Sequence, residues 1–327
     1  MLMNCFYFSR YRFYKANAKK ELKFFLLSDI HFSPKVTQST LNTVRKQAKL
    51  MAPSYILIAG DLIDSYDAIK NKSDLKRLTS WLEQLGQIAP TIIALGNHDF
   101  YLKNPAYTSI FSGKRHWYTK EPTELITAVN ELDNVRILNN ETYEDKSVYI
   151  FGFTQTPEYY QFDRDENHTT SIFNPGSEDK NIMLYDLRHL DHKLIEKLPK
   201  NKAKIAIIHS PVFLQDPEVI NYLSEFDFFV SGHMHNGVVP PVVNDFWRSD
   251  RGIMAPGKLF FPRNSRTHVT NPDHKSIICA PVTTIQDSAK PVTFLNKAFP
   301  VNIAMLELSN RETLIGKPDI KHQYINF

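Results

Sequence analysis

Cysteine is nearly absent from this chain of 327 residues: there are two, Cys5 and Cys279. That excludes a disulfide framework and a cysteine-based zinc site, and it predicts a reducing, cytoplasmic setting. Apolar runs are short. None approaches the roughly 20 residues of a membrane-spanning helix, and the N-terminus lacks the apolar stretch of a secretory signal. Cys5 follows only Met1-Leu2-Met3-Asn4, too little for an export signal ahead of a lipid-modified cysteine. Charge of one sign is scarce as well. A net +4 is too small to argue for nucleic acid. Repeats and low-complexity tracts are missing, and the 42% of hydrophobic residues is enough for a core, which excludes a largely disordered chain.

The exception to this even charge is the N-terminus. Up to Lys23 there are six basic residues, Arg10, Arg12, Lys15, Lys19, Lys20 and Lys23, against the single acid Glu21, a local balance of +5. Phe6, Tyr7, Phe8, Tyr11, Phe13 and Tyr14 are interleaved with them. Such a segment suits peripheral contact with an anionic membrane surface at the inner face; a solvated arm, or one packing its aromatics on the domain, is the alternative. Residues 1–22 are therefore set apart as a basic aromatic segment, and 23–327 as one domain.

Within that domain, short apolar runs alternate with helical patterns. Strands are predicted at 22–27, 55–59, 91–95, 147–153, 204–208 and 226–230, rich in Ile, Val, Leu and Phe as buried strands are. Helices are predicted at 37–51, with Leu41, Val44, Ala48 and Met51 at helical spacing, and at 73–88, with Ser73 as N-cap. Two more are placed at 121–132 and 186–198. A hairpin turn is expected at 144–147. The alternation reads as α/β with crossover helices. Long irregular stretches near 154–181 and 238–275 are expected to be either functional loops or disordered segments.

The informative residues stand just past the strands. The runs lead into Ser28-Asp29-Ile30-His31, Gly60-Asp61-Leu62-Ile63-Asp64, Gly96-Asn97-His98-Asp99, His209-Ser210-Pro211 and Ser231-Gly232-His233-Met234-His235. Ligands bind beyond the carboxyl ends of strands in open α/β sheets. Strands sharing a sheet would bring together Asp29, His31, Asp61, Asn97, His209, His233 and His235. These offer oxygen and imidazole nitrogen without thiolate, a set for Mn, Fe or Zn. Seven ligands exceed one tetrahedral ion and suit two ions about 3.5–4 Å apart that share a bridging carboxylate. Gly60, Gly96 and Gly232 are expected to allow sharp bends. The i, i+2 spacing within Asp29-x-His31 and His233-x-His235 would aim each pair one way on an extended chain.

The ordered blocks, from Asp29 to His235, resemble the calcineurin-like metallophosphoesterase family, in its bacterial single-domain form. The resemblance implies a two-sheet β-sandwich flanked by helices, in α/β/β/α layers. It implies that Asp29, His31 and His235 hold the first ion, that Asn97, His209 and His233 hold the second, and that Asp61 bridges them. Mn2+ is the favoured ion, with Fe2+/Fe3+ or Zn2+ as alternatives. The catalytic set that the resemblance implies is His98, Asn97 and Asp61: a hydroxide between the ions would attack phosphorus, Asn97 and His98 would hydrogen-bond the transition state, and His98 would protonate or stabilise the leaving oxygen. The expected activity is hydrolysis of a phosphate ester or anhydride, on a phosphorylated small molecule or lipid, with a phosphodiester or lipid-linked diphosphate favoured. A nuclease, a nucleotide phosphatase and an inactive metal-binding scaffold are the competing readings.

Several residues stay open at this level. Asp64 and Asp99 either orient a ligand histidine or cap the following helix. His116, His168, His189, His192, His268, His274 and His322 have no convergent partner in the pattern and read as solvent or packing residues, with substrate contact the alternative for His268 and His274 in the second long loop. Tyr159, Tyr160 and Phe162 either line a pocket or anchor their loop. Lys258, Arg263 and Arg266 could meet an anionic substrate, or stand as solvated loop charges.

Overall fold

The computed structural model describes residues 5–14, 21–102, 118–160, 179–190, 192, 195, 198–239, 251–255, 259–260, 265–266, 276–279, 282, 301–309 and 319–326. In chain order the strands are β1 (Cys5–Tyr14), β2 (Leu22–Leu27), β3 (Tyr55–Ala59), β4 (Thr91–Ala94), β5 (Tyr101–Leu102), β6 (Tyr118–Lys120), β7 (Val135–Leu138), β8 (Glu141–Glu144), β9 (Val148–Phe153), β10 (Ala203–Ile208), β11 (Phe228–Ser231), β12 (Met254–Ala255), β13 (Leu259–Phe260), β14 (Ser276–Ile278), β15 (Val301–Ser309) and β16 (Asp319–Asn326). The helices are α1 (Gln38–Met51), α2 (Lys72–Gly86), α3 (Thr123–Asn130), α4 (Lys180–His189) and α5 (Pro217–Leu223).

Two sheets carry the fold. One has seven strands in the order β16-β1-β15-β2-β3-β4-β7, the other five in the order β14-β11-β10-β9-β8. Strands β2, β3, β4 and β7 run parallel, as do β9, β10, β11 and β14. Side-chain alternation sorts each strand between two cores. Phe24 and Leu26 of β2, Leu57 of β3, Ile150 of β9 and Ile205 and Ile207 of β10 meet between the sheets. Phe25 and Leu27 face the other way, onto Leu41 and Val44 of α1 and Leu78, Trp81 and Leu82 of α2. On the far side of the second sheet, Phe151 and Phe153 pack on Met183 and Leu187 of α4 and Val219 of α5. The result is the expected α/β/β/α layering.

Local chemistry explains the helix ends. Thr37 accepts from the Thr40 N–H at the start of α1, and Ala52 closes it in the left-handed conformation just ahead of Pro53. Helix α2 begins at Lys72 behind Asn71, so Ser73 is inside it rather than its N-cap. Of the helix expected at 186–198, residues 186–189 belong to α4, which starts earlier, at Lys180, because Asp179 accepts from the Asn181 N–H and caps it there; Ile195 is helical, and 191, 193–194 and 196–197 lie outside the described residues. Asp186 is consequently mid-helix, and its carboxylate accepts from Thr156. The hairpin at 144–147 forms as expected: Asp145 Oδ1 accepts from the Ser147 and Val148 N–H groups.

The N-terminal segment differs most from expectation. Charge alone sets residues 5–14 outside the domain, yet β1 lies inside the large sheet, parallel to β15 and antiparallel to β16. Phe8 and Tyr11 are buried, and the Phe13 ring packs on Phe228 of the second sheet with centroids 4.8 Å apart. Arg10 and Arg12, two charges behind the membrane-contact reading, both bind buried Glu307 of β15, at 2.7 and 2.8 Å. The basic stripe is thus partly an internal ion cluster. Among the described residues, no helix is long and apolar enough to cross a membrane.

Candidate metal centre

The five predicted strand-end blocks leave the carboxyl ends of β2, β3, β4, β10 and β11, and the two sheets bring those ends together. Cross-bonds between loops hold the cluster. The N–H groups of Asp29, His31 and Phe32 donate to the carbonyls of Gly60, Asp61 and Leu62 at 3.1, 3.0 and 2.9 Å. The Gly232 N–H donates to the His209 carbonyl at 2.9 Å, and the His233 N–H to Asp29 Oδ1 at 3.1 Å.

The backbone conformation overturns one expectation. Asp29, His31, Asp61, His233 and His235 have φ of 48°, 45°, 51°, 61° and 48°. Five of the seven candidates are therefore left-handed, at a cost of roughly 1–3 kcal/mol each. They lie past the strand ends, so the i, i+2 alternation of extended chain is not what aims them. The curled loops do so instead. Glycine serves close approach more than bending. Gly60 alone of the three has a left-handed φ, 80°. Gly96, with φ −111°, matters because a Cβ there would lie 2.3 Å from both the main-chain N and Oδ1 of Asp61. A Cβ on Gly232 would lie 2.6 Å from Asp29 Oδ2.

The side chains fall into two groups. In one, His235 Nε2 is 3.3 Å and His31 Nε2 is 4.0 Å from Asp29 Oδ1. In the other, Asn97 Oδ1 is 3.1 Å from both His209 Nε2 and His233 Nδ1. Asp61 Oδ2 stands between them, 3.8 Å from His31 Nε2 and 3.2 Å from His209 Nε2. Ligand atoms of Asp29, His31 and His235 lie within 4.8 Å of one another, as do those of Asp29, Asp61 and His209, and of His31, Asp64 and His98.

These atoms fit cations. Nδ1 of His209 is 2.7 Å from the Ala59 carbonyl, which takes the Nδ1–H and turns Nε2 toward Asp61 and Asn97. There the buried Nε2 faces two oxygen acceptors, an arrangement that a proton or a shared cation satisfies. His31 Nδ1 is buried with no hydrogen-bond partner among the described residues. Oxygen and imidazole nitrogen without thiolate suit hard or borderline divalent ions.

The charges of the protein alone already separate these groups. Burial would raise Asp29, but the charge and hydrogen bond of His235 outweigh it and hold the carboxyl at about 2. Burial opposes ionisation of Asp61 as well, yet the surrounding histidines, His209 first, keep it well below the usual carboxylate range. Burial and the charge of His98 push His31 down to about 3. His209 is raised to about 9: burial works against this, and Asp61 prevails. His98 is raised too, by Asp61 and Asp64 against burial.

Asp64 and Asp99, left open by the sequence, differ in role. Asp64 offers its main-chain carbonyl to His98 Nδ1 at 2.7 Å, and its Oδ1 lies 3.8 Å from His31 Nδ1. Asp99 caps nothing beyond its own turn. Fully buried, it ties two loops together by accepting from the Ile63 N–H at 3.0 Å and the Gly96 N–H at 2.8 Å. Burial and the neighbouring Asp61 charge raise it to about 7.

A family model described as calcineurin-like phosphoesterase matches residues 22–237. The chain belongs to this family. An uncharacterized metallophosphoesterase of Campylobacter jejuni is 26% identical over 225 residues, 69% of this chain and 47% of that protein. A transmembrane protein with a metallophosphoesterase domain from Danio rerio is 39% identical over 83 residues, 24% of this chain and 17% of that one. The chain spans about half the length or less of the curated relatives it matches. Among solved structures it is similar to a dimetal phosphatase from Danio rerio, at 11% identity and TM-score 0.39, covering 80% of this chain and 87% of that one.

The remaining candidates divide simply. His189 is exposed and pairs Nδ1 with the Tyr185 carbonyl, His192 is exposed, and His322 falls in β16, away from the strand ends. Tyr159 and Tyr160 are buried in a short turn, Pro157–Tyr160. Their burial anchors the turn, and the Tyr160 ring lies 5.5 Å from that of His233. Arg266 is buried rather than solvated. His116, Phe162, His168, Lys258, Arg263, His268 and His274 lie outside the described residues. Sequence reasoning passes over Thr154-Gln155, although this pair also stands at the end of an apolar strand; the polar residue after β9 is the signal that points to it.

Proposed function

We propose that the cluster holds two divalent ions, Mn2+ first among them, and that the chain hydrolyses a phosphate ester or anhydride. The observation that carries this reading is Asp61 Oδ2, placed between His31 Nε2 at 3.8 Å and His209 Nε2 at 3.2 Å, with a nitrogen–oxygen group on either side. Asp29, His31 and His235 would hold one ion, and Asn97, His209 and His233 the other, with Asp61 serving both. When bound, two such ions supply Lewis acidity and lower the pKa of water so that hydroxide is available near neutral pH.

The chain's own residues do the rest. The Asp29 and Asp61 carboxylates stay ionised at neutral pH and compensate cationic charge in a buried site. The Ala59 carbonyl fixes the His209 tautomer, and the main-chain N–H of His98, donating to Asp61 Oδ1, fixes the carboxylate. His98, anchored through Nδ1 at Asp64, keeps Nε2 for the substrate and is the residue to protonate the leaving oxygen. Hydrolysis of p-nitrophenyl phosphate and bis-p-nitrophenyl phosphate by metal-stripped protein, before and after Mn2+ is added, tests the reading. Metal-dependent turnover of either supports it, and the preferred compound separates monoester from diester chemistry. A phosphodiester and a lipid-linked diphosphate are the natural substrate classes to assay first. Failure on both model compounds and on a polyprenyl diphosphate would return the chain to the inactive-scaffold alternative.

A further inference from the structure

Five parallel strand ends deliver candidate ligands, and a sixth, that of β9, delivers Thr154 and Gln155. Strand β9 pairs with β10 as far as Phe153 opposite Ile208. Beyond that register both chains leave the sheet, and the side chain of Gln155 takes over the pairing. Its Oε1 accepts from the Ser210 N–H at 2.8 Å, and its Nε2 donates to the Ser210 carbonyl at 3.2 Å. One amide thus satisfies both main-chain groups of the residue directly after His209. Gln155 is 1% exposed and Ser210 fully buried, so no solvent would replace either bond.

The amide is itself held. Tyr160 donates its hydroxyl to Gln155 Oε1 at 2.7 Å, and Tyr159 donates to Ser210 Oγ at 3.1 Å. A flipped amide would set NH2 against the Ser210 N–H, donor against donor. The Tyr160 ring also packs edge-on to His233, with centroids 5.5 Å apart, and lies 6.4 Å from His209, while the two histidine rings are 5.2 Å apart. Hydroxyl, amide, main chain and rings form one buried support behind the two imidazoles that face Asn97.

We propose that Gln155 and Tyr160 are positioning residues for His209 and His233, and that they set the affinity of the second ion without touching it. The inference rests on the two-ion reading. It separates the two half-sites, because these hydrogen bonds and ring contacts fall on the His209–His233 side and not on Asp29, His31 and His235. Supports of this kind typically change metal affinity by about 10–100-fold.

The experiment is calorimetric titration of Mn2+ into the metal-stripped full chain, with His31→Ala and His233→Ala used to assign the two binding steps. Gln155→Met keeps the length and removes the amide. Tyr160→Phe keeps the ring and removes only the hydroxyl, and it decides the matter if Gln155→Met does not fold. The expected result is that the step assigned by His31→Ala to the Asp29–His31–His235 side stays within about twofold of wild type, while the step assigned by His233→Ala to the Asn97–His209–His233 side weakens about 10–100-fold, largest for Gln155→Met. Two unchanged steps would overturn the inference, and so would equal weakening of both steps, which marks a general loss of structure. Wild-type protein that takes up fewer than two Mn2+ would overturn the two-ion reading itself, and the inference with it.

Discussion

The main-chain N–H of His98 donates to Asp61 Oδ1 at 2.8 Å. That bond occupies one carboxylate oxygen and leaves Oδ2 to face His31 and His209. The proposed bridging group and the proposed acid are thereby held by one contact.

Asp61→Asn keeps the shape and removes the charge between the half-sites. Metal-dependent hydrolysis of either p-nitrophenyl compound is expected to fall by more than about 100-fold, with weaker Mn2+ uptake. Wild-type turnover in this variant would remove Asp61 from the bridging position.

His98→Asn should separate chemistry from metal binding. A general acid contributes about 10²–10⁴-fold, so kcat is expected to fall within that range while the Mn2+ content, measured by elemental analysis, stays at the wild-type value. Loss of metal together with activity would instead make His98 a ligand.

Gly96→Ala places a methyl group 2.3 Å from Asp61 N and Oδ1, and both are backed by buried structure. The Asp61 loop has to move. The expected outcome is loss of Mn2+ binding with a melting temperature lowered by only a few degrees, read by calorimetric titration and thermal unfolding. Retention of both ions would show that the loop has slack that the geometry does not suggest.

Asp99→Ala leaves the Ile63 and Gly96 N–H groups buried without their acceptor. Each orphaned donor costs about 1–3 kcal/mol, so urea unfolding is expected to show a loss of about 2–6 kcal/mol. An unchanged midpoint would mean that other groups reach those donors.

Glu307 carries a pH dependence. Burial would raise its pKa, but the hydrogen bonds and charges of Arg10 and Arg12 lower it below the ordinary glutamate value, about 4.3. A group with a depressed folded-state pKa contributes stability that is complete above the unfolded value and is lost as pH falls through the folded one. Glu307→Gln should therefore be less stable than wild type at pH 7, by about 1–3 kcal/mol, and the gap should close as the pH drops below about 4. A gap that persists in acid would assign the loss to packing rather than to charge.

Much of the site was legible because of where its residues stand. Asp29, Asp61, Asn97, His209 and His233 each come within two or three residues of an apolar run, which marks them as strand-end residues, but the expected shared sheet is two sheets, with β2, β3 and β4 in one and β10 and β11 in the other, and only their packing brings the ends together. Gln155 obeys the same rule but belongs to no ligand type, and its importance depends on Ser210, 55 residues away. The fate of 5–14 was illegible for a related reason. Arg10 and Arg12 look like a solvated basic stripe until Glu307, almost the whole chain distant, is placed beside them. Local composition carries no information about a partner strand that far off.

The sequence by itself marked six buried strands, at 22–27, 55–59, 91–95, 147–153, 204–208 and 226–230, and the residue types past five of their ends, because apolar runs and strand-end polarity are local properties. Only the tertiary structure decided which way those residues point. Asp29, His31, Asp61, His233 and His235 sit in left-handed backbone that no local preference of aspartate or histidine demands. Hydrogen bonds between loops far apart in the chain hold them there. A strained conformation persists only where its surroundings over-determine it, and those surroundings exist only once both sheets have packed.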